Sequence, residues 1–128
     1  MNPKQARVLV VGADTAFQRI FERIESCGCY QFEYAHFLAP APVLAEAKPA
    51  AILLLVPEER RSKKQALAWL RAHKDAAPVL VLSVVADMDV YVACMSSGAF
   101  DYITGYTPID EILRILEHAV HSSDLAAA

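Results

Sequence analysis

Short apolar runs alternate with amphipathic stretches along almost the whole chain. Apolar runs of this length that are rich in β-branched residues predict strands buried on both faces of a sheet. The stretches between them place apolar residues at helical spacing, which predicts helices that cover the sheet. The pattern predicts strands at residues 8–11, 30–35, 50–56, 79–85 and 100–104, and helices between Thr15 and Gly28 and at residues 43–47, 62–73, 87–97 and 109–121.

The composition fits one globular domain. The 128 residues are 55% hydrophobic and 21% charged, which excludes disorder except near the ends. A net charge of −3 and a pI near 5.7 argue against direct nucleic-acid binding by this domain. No apolar run approaches the roughly 20 residues of a membrane span, and no secretory signal is visible. We expect the domain at residues 7–121, with residues 122–128 as a tail or the start of a linker.

The sequence carries few residues that suggest chemistry. Its three cysteines are an odd number, and Cys27 and Cys29 are too close for a useful structural bridge, which predicts a reduced, cytoplasmic setting. His118 and His121 share one helix face but have no third metal ligand nearby in the sequence. Neither a G-x-G-x-x-G turn nor a nucleophile with an acid–base partner is present. We therefore expect no enzymatic activity, no cofactor and no bound metal.

Four segments, in this order along the chain, are similar to one known family. Over about residues 7–120, the chain resembles the receiver domain of bacterial two-component response regulators. The segments that carry the resemblance are VLVVGAD, PAAILLLVP, PVLVLSVV and SGAFDYIT. The last segment is the most specific, because the family has a closely similar Gly-Ala-x-x-Tyr-hydrophobic-Thr stretch followed by Lys-Pro. The resemblance implies a flavodoxin-like, doubly wound (βα)5 parallel sheet with strand order 2-1-3-4-5 and helices on both faces.

The family transfers a phosphoryl group onto its own aspartate with the help of Mg²⁺, and this chain departs from the residues that this requires. The resemblance assigns the paired acidic positions to Gly12 and Ala13, and a third, peripheral acidic position to Asp14. It assigns the acceptor to Leu55 and the phosphate-pairing lysine to Gly105. Leucine has no nucleophilic oxygen, so the expectation is a degenerate receiver, or pseudo-receiver. Asp14 as a substitute acceptor is an alternative.

Two positions of the family's switch are retained, as Ser83 and Tyr102. One interpretation is that the two residues still act as a switch. The other is that Ser83 only caps the end of a strand and Tyr102 only fills space. The vacated pocket has two interpretations as well. We expect Leu55 and Tyr106 to close it, and the alternative function is a ligand-binding sensor that uses it.

The predicted helices 87–97 and 109–121 and the strand between them form the face that carries dimerisation and output contacts in receivers. The first of these helices is more apolar than one packed face requires, which predicts an exposed interaction surface. We expect signalling through protein–protein contact at this face, with a protein partner or as a homodimer, and possibly with a fused output domain. The candidate interface residues are Val90, Tyr91, Cys94, Met95, Asp101, Tyr106, Ile109 and Arg114.

Overall fold

Five strands and four helices make up the part of the chain that the computed structural model describes, residues 6–12, 17–35, 49–57, 60–84 and 86–127. All five predicted strands are present, whereas Thr15 and the predicted helix at 43–47 lie outside the described residues. The strands are β1 (Ala6–Val11), β2 (Tyr30–Ala35), β3 (Ala51–Val56), β4 (Val79–Ser83) and β5 (Asp101–Thr104), and the helices are α1 (Gln18–Ser26), α2 (Arg60–His73), α3 (Met88–Ser96) and α4 (Ile109–Ala127).

The strands form one parallel sheet in the order β2-β1-β3-β4-β5, which confirms the predicted topology. At the carboxyl edge, Val11 pairs with Leu54, and Ser83 pairs with both Val56 and Thr104. The ends of β1, β3, β4 and β5 therefore meet at one edge. Ligands of doubly wound sheets bind outside this edge, so the residues that follow these strands form the candidate site.

Alternate residues of each central strand pack into two separate cores. On one face of the sheet, Leu53 and Leu55 join the buried residues of α1 and α4. On the other face, Ile52, Leu54 and Val56 join those of α2 and α3. Successive strand residues point to opposite faces, so a strand covered by helices on both sides must be apolar at every position. This explains the uninterrupted AILLLV sequence of β3.

The end of α4 differs from the prediction. The helix predicted at residues 109–121 continues from Ile109 to Ala127. The Leu-Ala-Ala segment near its end consists of strong helix formers, which favours continuation past the polar Ser-Ser-Asp run. Among the described helices, none is long and apolar enough to span a membrane.

Candidate functional site

The two glycines at the carboxyl edge occupy backbone positions that restrict side chains. Gly12 follows β1, donates its N–H to the Ala35 carbonyl at 2.9 Å and has a φ of 103°. L-residues with a side chain rarely adopt this left-handed conformation. Gly105 follows β5 and donates its N–H to the Ser83 carbonyl at 3.1 Å. A Cβ on Gly105 would lie 3.1 Å from the Val84 carbonyl oxygen, so a side chain there requires a small shift of the neighbouring backbone.

Leu55, the position assigned to the phosphoryl acceptor, is part of the core. Its side chain is 3% exposed and belongs to the same cluster as Leu53, Leu82 and Ile103. This environment is built from hydrocarbon and stabilises no charge. Ala13 and Asp14 lie outside the described residues. Within the described ranges, no group of three or more His, Cys, Asp or Glu residues is placed to hold a metal ion.

Ser83 lies at this edge, and Tyr102 lies two residues before it in the neighbouring strand, opposite Val81. Ser83 is buried at the end of β4, and Tyr102 is half-buried in β5. The Tyr102 ring packs edge-to-face against Tyr91 of α3, with 5.6 Å between ring centroids and an interplanar angle of 85°. This ring pair joins α3 to β5 and fixes the position of Tyr102 relative to the helix.

A cavity of about 370 Å³ opens beside this ring pair. It is lined mainly by apolar atoms, and the sequence did not predict it, because its walls come from a loop, a helix and a strand that are separate in the chain. Leu55 does not line it, so it is distinct from the vacated acceptor position. The lining residues are Ala86, Asp87, Met88, Tyr91 and Tyr102.

Tyr106 does not close the vacated pocket, contrary to the prediction. Its side chain is 85% exposed. The loop is held by hydrogen bonds between Thr104 and Thr107: the Thr104 N–H donates to the Thr107 hydroxyl at 3.2 Å, and the Thr107 N–H donates to the Thr104 carbonyl at 3.2 Å. The Tyr106 N–H donates to the Thr104 hydroxyl at 3.3 Å. This tight turn presents the Tyr106 ring to solvent, whereas Leu55 is buried in the core beneath the edge.

The apolar face of α3 differs from the predicted one. Val90 and Cys94 are buried in the core between α3 and the sheet, so neither can contact a partner directly. Met95 and Ile109 are half-buried and pack against the two cores. Tyr91 is exposed as predicted, at 42%, and the other exposed apolar side chains of α3 are Met88 at 72% and Val92 at 53%. Met88 and Val92 were missed because α3 is apolar on nearly every side, so periodicity alone does not identify its buried face.

Asp101 and Arg114 make local interactions rather than a pair with each other. The Asp101 carboxylate accepts a hydrogen bond from the Tyr102 N–H at 2.7 Å. The Arg114 Nη2 atom lies 3.6 Å from Glu111 Oε1, one helical turn away. Exposed pairs of this kind contribute little stability, so Arg114 remains free to reorient toward a partner.

The three cysteines divide into two exposed thiols and one buried thiol. Cys27 and Cys29 are exposed at the α1–β2 turn, whereas Cys94 is buried. Burial raises the pKa of the Cys94 thiol to about 11, and its thiolate is therefore scarce near neutral pH. We expect a thiol-exchange reagent at pH 8 to modify two thiols rapidly and the third only after unfolding. A Cys94→Ser variant should lose only the slow phase, and rapid reaction of all three thiols in the folded protein would contradict this expectation.

The comparisons with known proteins agree with this fold. No protein-family model matches the chain. The chain is 32% identical over 108 residues to the response regulator MprA of Mycobacterium avium, covering 84% of the chain and 47% of the relative. It is 27% identical over 120 residues to the DNA-binding transcriptional regulator NtrC of Proteus hauseri, covering 91% of the chain and 25% of the relative. The signal receiver domain of NarL from Mycobacterium tuberculosis superposes with a TM-score of 0.74 at 16% identity, covering 93% of this chain and 98% of that one.

The doubly wound sheet and its carboxyl-edge site define a single α/β domain of the receiver fold. In fold and in sequence, the chain is similar to response regulator receiver domains. The chain spans about half the length of MprA and a quarter of that of NtrC.

Proposed function

We propose that this receiver domain acts in two-component signalling as a pseudo-receiver, a binding module that signals through protein–protein contact without phosphorylation. The observation that carries the proposal is Leu55, which stands at the acceptor position, is buried in an apolar core and offers no atom for a phosphoryl group. The function is therefore binding rather than catalysis.

The other substitutions at the site support the same conclusion. Mg²⁺ prefers several hard oxygen ligands, and a phosphoryl group is stabilised by a charge-assisted hydrogen bond from lysine. The positions assigned to the acidic pair and to the lysine are Gly12, Ala13 and Gly105, none of which carries a charge. Removing only one member of a charge cluster leaves uncompensated charge, so the joint loss of these groups fits a site that has abandoned the chemistry altogether.

The contact surface in this proposal is the face formed by α3, β5 and the start of α4. It combines the exposed Tyr91 and Tyr106 rings with a cavity beside Tyr102. Exposed apolar groups that lie together mark interaction surfaces. Because the chain matches only part of its relatives, we further propose that residues 7–121 are the receiver unit and that an output segment or a separate protein receives the signal.

A phosphorylation assay tests the proposal. The full chain is incubated with Mg²⁺ and acetyl phosphate, and separately with Mg²⁺ and beryllofluoride, beside a phosphorylatable receiver domain as a positive control. We expect no phosphate-sized gain in intact mass and no change in assembly by light scattering. A mass gain would overturn the proposal, and its loss in an Asp14→Ala variant would identify Asp14 as a substitute acceptor.

A further inference from the structure

We call five side chains on the face formed by α3, β5 and the start of α4 the α3–β5 patch: Met88, Tyr91, Val92, Tyr102 and Tyr106. Met88, Tyr91 and Tyr102 line the same cavity, and Val92 lies one helical turn beyond Met88 on α3. The Gly105 backbone lies close to Val84, the residue that follows β4. Tyr106 therefore lies at the same edge of the sheet as the chain that leads from β4 to Ala86. The patch therefore offers three aromatic rings, two aliphatic side chains and one recess.

The chain segment that carries this patch has charges of one sign, whereas the cations Arg71 and Lys74 approach it at the C-terminal end of α3. Residues 86–113 contain five acidic residues and no Lys, Arg or His, although the whole chain has a net charge of only −3. The first cation after this stretch is Arg114, which lies 3.6 Å from Glu111. Charge that is concentrated on one face favours a partner of opposite sign and raises its rate of association. The acidic residues are Asp87, Asp89, Asp101, Asp110 and Glu111.

The same charges disfavour a second copy of the chain on this face. A twofold dimer places the same surface on both sides of the interface, so the acidic rim of one copy would meet that of the other. Like charges brought together in this way cost several kcal/mol. The face thus favours a different partner over self-association.

We propose that the α3–β5 patch binds a cationic segment of a partner protein, with a large apolar side chain of that segment seated in the cavity beside Tyr102. The cavity of about 370 Å³ has the scale of one or two large side chains. Exposed faces of Tyr91 and Tyr106 offer cation–π contacts to Arg or Lys of the segment. This inference rests on the proposed function in one respect, since both place the partner on the same face.

Selection from a random peptide library displayed on phage tests the inference with the full chain as bait. Enriched peptides are synthesised with a fluorophore, and their binding is measured by anisotropy. We expect them to combine a large apolar residue with net positive charge and to bind more weakly as salt increases. Tyr91→Ala and the double variant Asp89→Asn/Asp110→Asn should each weaken binding by about tenfold. Tyr34→Ala is the control, because Tyr34 is exposed on β2, at the opposite edge of the sheet.

Three results would overturn the inference. The first is enrichment of neutral or acidic peptides, and the second is no enrichment of any peptide. The third is a Tyr91→Ala variant that binds the peptides as tightly as the parent protein while circular dichroism shows that it is folded. A dimer in light scattering that Met88→Ala dissociates would assign the patch to a second copy instead. Phosphorylation is measured separately, so uptake of a phosphoryl group with intact binding of cationic peptides would contradict the proposed function alone.

Discussion

Replacing Leu55 with aspartate is expected to destabilise the domain by about 4 kcal/mol and to leave it unable to accept a phosphoryl group. The substitution removes a side chain that is 3% exposed and packed among Leu53, Leu82 and Ile103. It also places a carboxyl group where the surrounding core supplies only hydrocarbon. Urea denaturation of both proteins measures the difference, and intact mass after acetyl phosphate treatment measures the chemistry.

The same variant should show a characteristic pH dependence. Burial holds the pKa of the introduced carboxyl above its value in the unfolded chain, so the folded state binds the proton more tightly. The stability deficit relative to the parent protein is then smallest at acidic pH and grows as pH rises between the unfolded and folded pKa values.

Leu55→Met is the matched control for this experiment. It keeps the volume and the apolar character of the side chain, and it should cost less than about 1.5 kcal/mol. An aspartate variant as stable as the parent, or one that becomes phosphorylated, would show that position 55 can reach solvent and the reacting groups. That result would remove the main support for the pseudo-receiver proposal.

Replacing Gly12 with aspartate is expected to cost about 1–3 kcal/mol, because φ at this position is 103° and a Cβ makes that conformation unfavourable. Gly12→Ala should cost a similar amount, since the strain arises from the Cβ and not from the charge. Thermal or urea unfolding of the two variants, compared with the parent, gives both values.

Gly28→Ala separates conformational strain from crowding. Gly28 has a φ of 78°, and nothing lies within 4 Å of a Cβ placed there, so its cost of about 1 kcal/mol measures the backbone alone. If Gly12→Asp leaves stability unchanged while Gly28→Ala lowers it, the turn after β1 accepts a side chain freely. The backbone angle at Gly12 would then not explain why the positions assigned to the acidic pair carry no acidic residue.

The two substitutions test why an aspartate at a single position would not restore the family's chemistry. Aspartate at position 55 meets an apolar core, and aspartate at position 12 meets an unfavourable backbone angle. A side chain at Gly105 would lie close to the Val84 carbonyl. The backbone at Gly12 and Gly105 and the core at Leu55 thus each disfavour a charged side chain, which agrees with the proposed pseudo-receiver.

Much of the fold was predictable because its signals are local. The run AILLLV can satisfy its apolar character only as a strand covered on both faces, and this strand is β3. The helix predicted to begin at residue 87 does so, because the Asp87 carboxylate accepts a hydrogen bond from the Asp89 N–H at 2.9 Å. The strand order was predicted from the family resemblance and not from the hydrophobic pattern. Pairing between distant strands leaves no signal in the sequence of any single strand.

The sequence by itself determined where strands and helices form, and its resemblance to the family assigned the residues at the reactive positions. Only the tertiary structure decided which side chains reach solvent. Helix α3 is apolar on nearly all sides, so its own pattern cannot separate the buried Val90 and Cys94 from the exposed Met88 and Val92. Its orientation is fixed by contacts with α2 and the sheet, including the packing of Tyr91 on Tyr102, and those contacts join residues from separate elements. The cavity that Asp87, Met88 and Tyr91 line together with Tyr102 follows from that orientation.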